Sequence, residues 1–442
     1  MSNSAIGRFR WTICSLLFFA TTINYLDRAV ISLLKSTLTE QLHWDDADYT
    51  NVEIAFKLSY AIGLLGAGRL IDKLGTRIGY ALATGIWSLA AVGHAFTNTV
   101  LGFGVARSAL GVSEAGNFPA AIKTVAEWFP RKERALATGI FNSGANIGAI
   151  IAPLSVPWIT IHWGWKWAFV ITGALGFIWL IFWFLLYEVP AKHKKLSAAE
   201  LNYINSDADS TISGASVVAK DGADDRPTFS WFKLLGLRQT WAFAIGKLLT
   251  DPIWWFYLFW LPDFLESQYG LKGTAVSLPV ATVYTLSTVG SIWGGWLPMS
   301  FINRGWPVFK ARKVSMFIYA LLVLPIVVAQ AAGSVNMWLA VLVIGIAAAA
   351  HQAWSANIFT TVSDMFPKRA TASVTGIGGM AGAVGGILLS ALVQKNMFVY
   401  YRSIHKIEIA YYIMFGVCSG AYLVAWVVMQ LLAPKMQRVE LE

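Results

Sequence analysis

Apolar runs of membrane length recur along this chain from end to end, and no other feature limits its fold as tightly. Twelve can be placed, at roughly 11–34, 50–71, 79–97, 99–128, 135–157, 165–187, 240–265, 275–300, 313–333, 335–364, 371–393 and 407–432. Each reaches or nearly reaches the ~20 residues that a helix needs to cross the hydrocarbon core. In lipid every backbone N–H and C=O must find its partner inside the protein, which segments of this length achieve as helices. The composition agrees. Hydrophobic residues make up 56% of the 442, and charged residues 13%, against ~25% in soluble proteins. The expected fold class is an all-α membrane protein with twelve transmembrane helices.

Several of these runs hold charges. Asp27 and Arg28 interrupt the first, Arg107 and Glu114 the fourth, and Lys247 and Asp251 the seventh. An ionised side chain near the bilayer centre costs at least ~2.5–3.5 kcal/mol, so such residues face a polar cavity or one another. Charges in several helices describe a hydrophilic path through lipid, which is the architecture of a transporter.

The net charge of +10 does not point to nucleic acid, because of where it lies. With the N-terminus placed inside, most Lys and Arg fall in inside segments: Arg69/Lys73/Arg77, Arg131/Lys132/Arg134, the 188–239 loop, and Arg304/Lys310/Arg312/Lys313. That is the positive-inside bias, and it puts both termini in the cytoplasm. Lys395, Arg402 and Lys406, between the last two runs, go against it. Cys14 and Cys418 both fall in spans, so neither a disulfide framework nor a metal cluster is expected. The first run is too long for a cleavable signal peptide and holds Asp27–Arg28, so it is expected to remain as a span.

The one long polar stretch divides the chain into a bundle at 1–187, a cytoplasmic linker at 188–239 and a bundle at 240–442. Within the linker, Ser197-Ala-Ala-Glu200 reads as a capping box opening a short helix to Asn205. The Ser/Gly/Ala/Asp-rich 206–228 is expected to be flexible, and Trp231 to Arg238 to form an interfacial helix. The halves resemble each other. A shift of about 237 residues lays Phe129-Pro130 on Phe366-Pro367, Thr138-Gly139-Ile140 on Thr375-Gly376-Ile377, and Glu127 on Asp364. A duplicated six-helix unit implies two bundles related by an axis along the membrane normal, with substrate held between them. In this register Glu114 falls on His351, one from each half.

The loop after the second span reads Gly68-Arg-Leu-Ile-Asp72-Lys-Leu-Gly75-Thr-Arg77. It resembles the G-x-L-x-D-x-x-G-x-R loop of the major facilitator superfamily. The resemblance implies a two-bundle major facilitator fold and a latch at Gly68, Asp72, Gly75 and Arg77. Read from charge alone, the same residues could serve only to set topology. The second copy is degraded to Asn303-Arg304-Gly305. Asn24-Tyr25-Leu26-Asp27-Arg28 resembles the N-Y-x-D-R motif of the anion:cation symporter family within that superfamily, and Arg107-x6-Glu114 its R-x6-E element. This implies that Arg28, with Tyr25 beside it, binds a substrate carboxylate, that Asp27 and Glu114 carry protons, and that Arg107 tunes Glu114. Seven residues are almost two turns, so Arg107 and Glu114 share a helix face. A static internal salt bridge is the alternative.

Lys247-x3-Asp251-Pro-Ile-Trp, followed by Phe-Trp-Leu-Pro262, resembles the hexuronate branch of that family, as does His351-Gln-Ala-Trp-Ser-Ala-Asn357. Lys247 could hold a uronate carboxylate or balance Asp251. Tyr257 and the neighbouring aromatics could stack on a sugar ring or anchor at the interface. Gln352, Trp354, Ser355 and Asn357 offer polar and stacking contacts, while His351 could contact substrate or be structural. Tyr60 matches a family tyrosine lining the substrate site, and could equally be packing. Asn142 and Asn146, four residues apart, could bond sugar hydroxyls or hold helices together. Gly144/Gly148 and Gly378/Gly382/Gly386 have the spacing of close helix contacts.

No phosphate-binding G-x-x-x-x-G-K-[ST] loop and no catalytic triad is evident, so the chain is expected to be no enzyme and to need no cofactor. The resemblance implies a proton-coupled symporter of a sugar-acid anion, a hexuronate such as glucuronate or galacturonate, working by rocking of the two bundles. An aldonate, an aldarate such as glucarate, or another organic anion is the alternative cargo. The implied partners are that anion, protons and the lipid bilayer, with no nucleic acid, for a monomer in a bacterial inner membrane.

Overall fold

The computed structural model describes residues 7–44, 46–206, 230–271, 273–389 and 395–440. Its long helices are α1 (Phe9–Leu33), α2 (Asp46–Leu74), α3 (Thr76–Gly93), α4 (Val100–Glu114), α5 (Asn117–Trp128), α6 (Arg131–Trp163) and α7 (Trp165–Leu186). After the central loop come α8 (Arg238–Tyr269), α9 (Ser277–Asn303), α10 (Val308–Val323), α11 (Met337–Met365), α12 (Lys368–Leu388) and α13 (Ile407–Leu432). No strand occurs among the described residues. Nine of the described helices are long and apolar enough by themselves to cross a membrane. With α4 and α5 as one broken traverse, and with α8 and α9, the twelve traverses of the sequence are present.

The break in the fourth traverse follows from its sequence. Pro119 has no N–H to donate to the Ala115 carbonyl. The chain turns at Ala115–Gly116, and the ladder resumes where Ala120 N donates to Gly116 O at 3.0 Å. Gly116 also lets α3 approach, since a Cβ there would lie 2.8 Å from that of Ala83.

Small residues set the packing within each half. Against α1, Cβ atoms at Gly144 and Gly148 of α6 would come within 2.5 Å of the Phe18 and Thr22 carbonyl oxygens. Gly385 of α12 meets the Leu248 carbonyl of α8 in the same way, at 2.4 Å. Outward faces are apolar: Ile62, Leu89, Leu101, Leu154 and Leu185 are all largely exposed, as lipid-facing side chains of a multi-pass protein should be.

Pro130 and Pro367 precede α6 and α12 with nearly identical angles, φ −63°, ψ 152° and φ −65°, ψ 152°, as the fixed φ of proline favours. Half of the expected capping box forms: Glu200 N donates to Ser197 Oγ at 3.1 Å, opening the helix Ala198–Ile204, but the Glu200 side chain turns elsewhere. Its buried carboxylate accepts from the Arg10 backbone N at 3.1 Å and from the Arg10 guanidinium at 3.0 Å, tying the linker to the start of α1. The segment expected to be flexible lies, from 207 on, outside the described residues; the short helix Trp231–Leu235 precedes α8. Arg402, one of the basic residues that offend the charge bias, is engaged by Asp263 of α8 at 2.9 Å.

Candidate functional site

A cavity lies between the halves, at mid-depth of the helices. Its walls include Tyr25 and Arg28 of α1, Tyr60 of α2, Asn142 of α6, Lys247 and Asp251 of α8, and His351, Gln352 and Ser355 of α11. The cavity volume is about 100 Å³, below the ~300–1,000 Å³ common for small-molecule pockets. Tyr25, Arg28, Tyr60, Trp254 and Trp255 also line a wider vestibule that continues past Arg107 to Glu53 and Lys57, near the start of α2. The cavity therefore opens toward the end of the bundle opposite the chain termini.

Arg28 dominates the first wall. Its guanidinium carbon sits 4.7 Å from the ring centre of Tyr60, 4.9 Å from Tyr25 and 5.2 Å from Phe56. Three aromatic faces at this range hold a cation by ring quadrupole attraction. Its Nε donates to Glu114 Oε2 at 3.0 Å, and Nη2 to Asn24 Oδ1 at 3.3 Å. The other Glu114 oxygen is buried without a hydrogen-bond partner. Arg107, two turns earlier, donates to the Arg28 carbonyl at 3.5 Å. Asp27, 2% exposed, lines neither the cavity nor the vestibule and makes no ion pair among the described residues; the Thr172 hydroxyl lies beside its carboxylate.

The floor is shut by contacts between halves. Phe118 and Phe359 stack with ring centres 5.2 Å apart. Asn142 donates to Gln352 Oε1 at 2.7 Å and to Ser291 Oγ at 3.2 Å, and Gln352 donates to Asn146 Oδ1 at 3.3 Å. Below these, backbones meet. A Cβ at Gly376 would lie 2.1 Å from Leu64 O, and one at Gly68 2.3 Å from Ala372 O. The buried Asp72 accepts from Ser373 N and from Ser373 Oγ, both at 2.7 Å, while Lys123 balances its charge at 2.9 Å. Two arginines reach across reciprocally. Arg134 donates to Ser363 O at 2.5 Å, and Arg312 to Arg131 O at 2.7 Å, while both pair with Asp364. One end of the path is sealed and the other open.

A membrane bundle with such a cavity narrows the family, and comparison decides it. The family model of the Major Facilitator Superfamily matches residues 17–390. The chain belongs to that superfamily. As one of its members it is a transporter and not an enzyme. It is 32% identical to the hexuronate transporter of Escherichia coli (strain K12) over 390 residues, covering 88% of each chain. It is 36% identical to the galacturonate transporter of Dickeya chrysanthemi over 296 residues, 67% of this chain and 83% of that one. The solved proton:xylose symporter XylE of the same superfamily superimposes with a TM-score of 0.72 over 95% of both chains, at 16% identity, and shares the fold.

Not every expected site residue of this facilitator faces its cavity. Tyr25, Arg28, Tyr60, Asn142, Lys247, His351, Gln352 and Ser355 do. Tyr257 does not: it is packed among Phe256, Leu261 and Phe264 on the far side of α8. Its position six residues on from Asp251 turns it away, because six residues is not a whole number of turns. Trp354 is fully buried against Tyr422. Asn357 spends its amide on Gly294 O at 2.6 Å and Ala353 O at 3.0 Å, joining α11 to α9. Asn146 meets Gln352, so in this conformation both α6 asparagines join helices. His351 is stacked on Trp254 and bonded to the Tyr422 hydroxyl at 2.5 Å.

In the loop motif, Gly68 and Asp72 touch the other half. Gly75 has φ +79°, a conformation open to glycine. Among the described residues Arg77 bonds to none of the other half and pairs with Glu188 at 2.5 Å. Sequence reasoning missed Lys123, Ser373 and the Arg134–Asp364–Arg312 network. It also missed Phe56, Phe118 and Phe359 as cavity walls. The basic residues were visible as topogenic charge, and the shared register of Glu127 and Asp364 was the available signal for the rest.

Proposed function

We propose that this protein is a proton-coupled symporter of a sugar-acid anion, a hexuronate such as glucuronate or galacturonate. The observation that carries the reading is Arg28: a cation boxed by three rings at the cavity wall, already paired with a buried carboxylate. A substrate carboxylate can take the place of Glu114 only if the glutamate gives up its charge, and a proton from the open side does that. Asp27, buried with no ion pair among the described residues, is the second carrier, since an ionised carboxylate there is costly and a proton removes the cost. Arg107 adds a positive charge near Glu114 that favours proton release once the site turns.

Residues 1–187 and 240–442 act as two rocking bundles joined by the 188–239 linker, and Asp72 with Gly68 latches their closed end. The polar groups of Gln352, Ser355 and Asn142 meet the sugar hydroxyls after the Asn142–Gln352 bond yields. The similarity to hexuronate and galacturonate transporters supports this cargo. The charge bias supports cytoplasmic termini, and the similarity to transporters of Escherichia coli and Dickeya chrysanthemi supports a bacterial inner membrane.

Uptake of labelled D-glucuronate into proteoliposomes under an inward proton gradient, with and without Asp27→Asn, tests the reading. Gradient-driven accumulation that the substitution abolishes is the expected result. Uptake of an aldonate or aldarate in place of glucuronate would remove the hexuronate assignment and keep the rest. Uptake indifferent to the gradient would remove the proton coupling.

A further inference from the structure

Arg28 and Glu114 are not the only cation–carboxylate pair on the cavity wall. On α8, Lys247 Nζ lies 2.8 Å from Asp251 Oδ2, one turn apart, and both side chains line the same space. The ammonium rests 4.0 Å from the ring centre of Phe359 at the floor. The carboxylate fits against bare backbone, because a Cβ at Gly382 would lie 2.1 Å from Oδ2.

The groups facing Asp251 from neighbouring helices are phenols: Tyr25 of α1, Tyr60 of α2 and Tyr422 of α13. From α12 it meets the glycine at 382, and from α11 His351 faces Lys247. Arg28 lines the cavity from the opposite half, engaged with Glu114. The salt bridge to Lys247 is thus the one that Asp251 makes among the described residues.

We propose that Asp251 is a further proton-linked carboxylate of the transport cycle, set in the C-terminal bundle, and that the cation it releases, Lys247, binds a substrate carboxylate. This rests on the reading of the protein as a proton–sugar-acid symporter. The exchange balances. A proton from the open side adds to Asp251 Oδ2, and the Lys247–Asp251 ion pair gives way to one between the Lys247 ammonium and the arriving carboxylate. The only covalent bond formed is O–H. On release it breaks, the proton leaves on the other side with the anion, and the original pair closes again. The proton on Asp251 offsets the charge of the carboxylate taken up at Lys247; with Glu114 protonated as well to free Arg28, a single carboxylate shared by the two cations enters with more than one proton. The pair also keeps a buried ammonium from standing alone. With Arg28 and Lys247 on opposite halves, an anion held by both bridges the bundles.

The test is a thermodynamic one. In proteoliposomes clamped at zero membrane potential, the steady-state accumulation of labelled D-glucuronate rises about tenfold per pH unit of gradient for each coupled proton. This ratio does not depend on turnover rate, so a merely slowed or partly misfolded variant leaves it unchanged. Asp251→Asn is expected to lower the ratio about tenfold at a gradient of one unit. The charge-neutral double variant Lys247→Gln/Asp251→Asn should do the same. Ratios equal to wild type in both variants, or a double variant that no longer folds, would make the pair structural and overturn the proposal. Failure of the underlying reading looks different: the wild type itself would not respond to the gradient, and the proposal would fall with it. If the wild type accumulates an aldonate instead, the same comparison is made on that anion, and Asp251 stands or falls on the same tenfold change.

Discussion

Gly376→Ala should act on the conformational balance more than on the folding of either bundle. Gly376 of α12 lies against α2, and an added Cβ would sit 2.1 Å from the Leu64 carbonyl oxygen. To reach ordinary contact at 3.4 Å, the helices must part by about 1.3 Å. The atom in the way is backbone, so no rotamer change relieves it. Overpacking of this kind costs ~1–3 kcal/mol. Because α2 and α12 belong to opposite halves, the cost falls on the state closed at the termini and vanishes once the halves separate there. The ratio of the two states should then shift about 5- to 150-fold toward opening at that end.

Spin labels at Lys73→Cys and Arg304→Cys, in a chain lacking Cys14 and Cys418, would report the separation by pulsed electron resonance. Growth of a long-distance population with little change in melting temperature is expected. An unchanged distance distribution, or a fall in stability with no change of distance, would refute the reasoning.

Asp72→Asn leaves an acceptor for Ser373 but strands the Lys123 charge, and should favour the same opening; breaking a buried pair costs ~3–5 kcal/mol, and the same labels read it. Arg28→Lys exchanges a planar fork among three rings for a point charge, so KM for the transported anion should rise at least about tenfold in initial-rate uptake. Asn357→Ala removes two bonds to backbone outside the cavity and should cost about 1–3 kcal/mol of stability while leaving KM for the anion unchanged, which a thermal melt beside an uptake assay would separate.

That the chain spans a membrane many times, in helices, was written in the apolar runs, since lipid offers the backbone no other partner. The starts of α6 and α12 were legible at Pro130 and Pro367, because a proline that starts a helix is a local choice of backbone angle. The pairing of Arg28 with Glu114 was not. The sequence marked Glu114 as sharing a face with Arg107, whereas the hydrogen bond runs between helices to Arg28.

Likewise the polar residues of α11 read as one set, His351 to Asn357. Helical rotation divides them: Gln352 and Ser355 face the cavity, and Trp354 and Asn357 face neighbouring helices. Basic residues such as Arg134 and Arg312 carried a topological meaning that composition alone can express. Their second role, bridging to carbonyls of the other half, depends on which helices meet. Periodicity and charge are properties of one segment and can be read along the chain. Which end of the path is shut, and which cation faces which carboxylate, depends on contacts between segments hundreds of residues apart, and those exist only once the bundles have closed on each other.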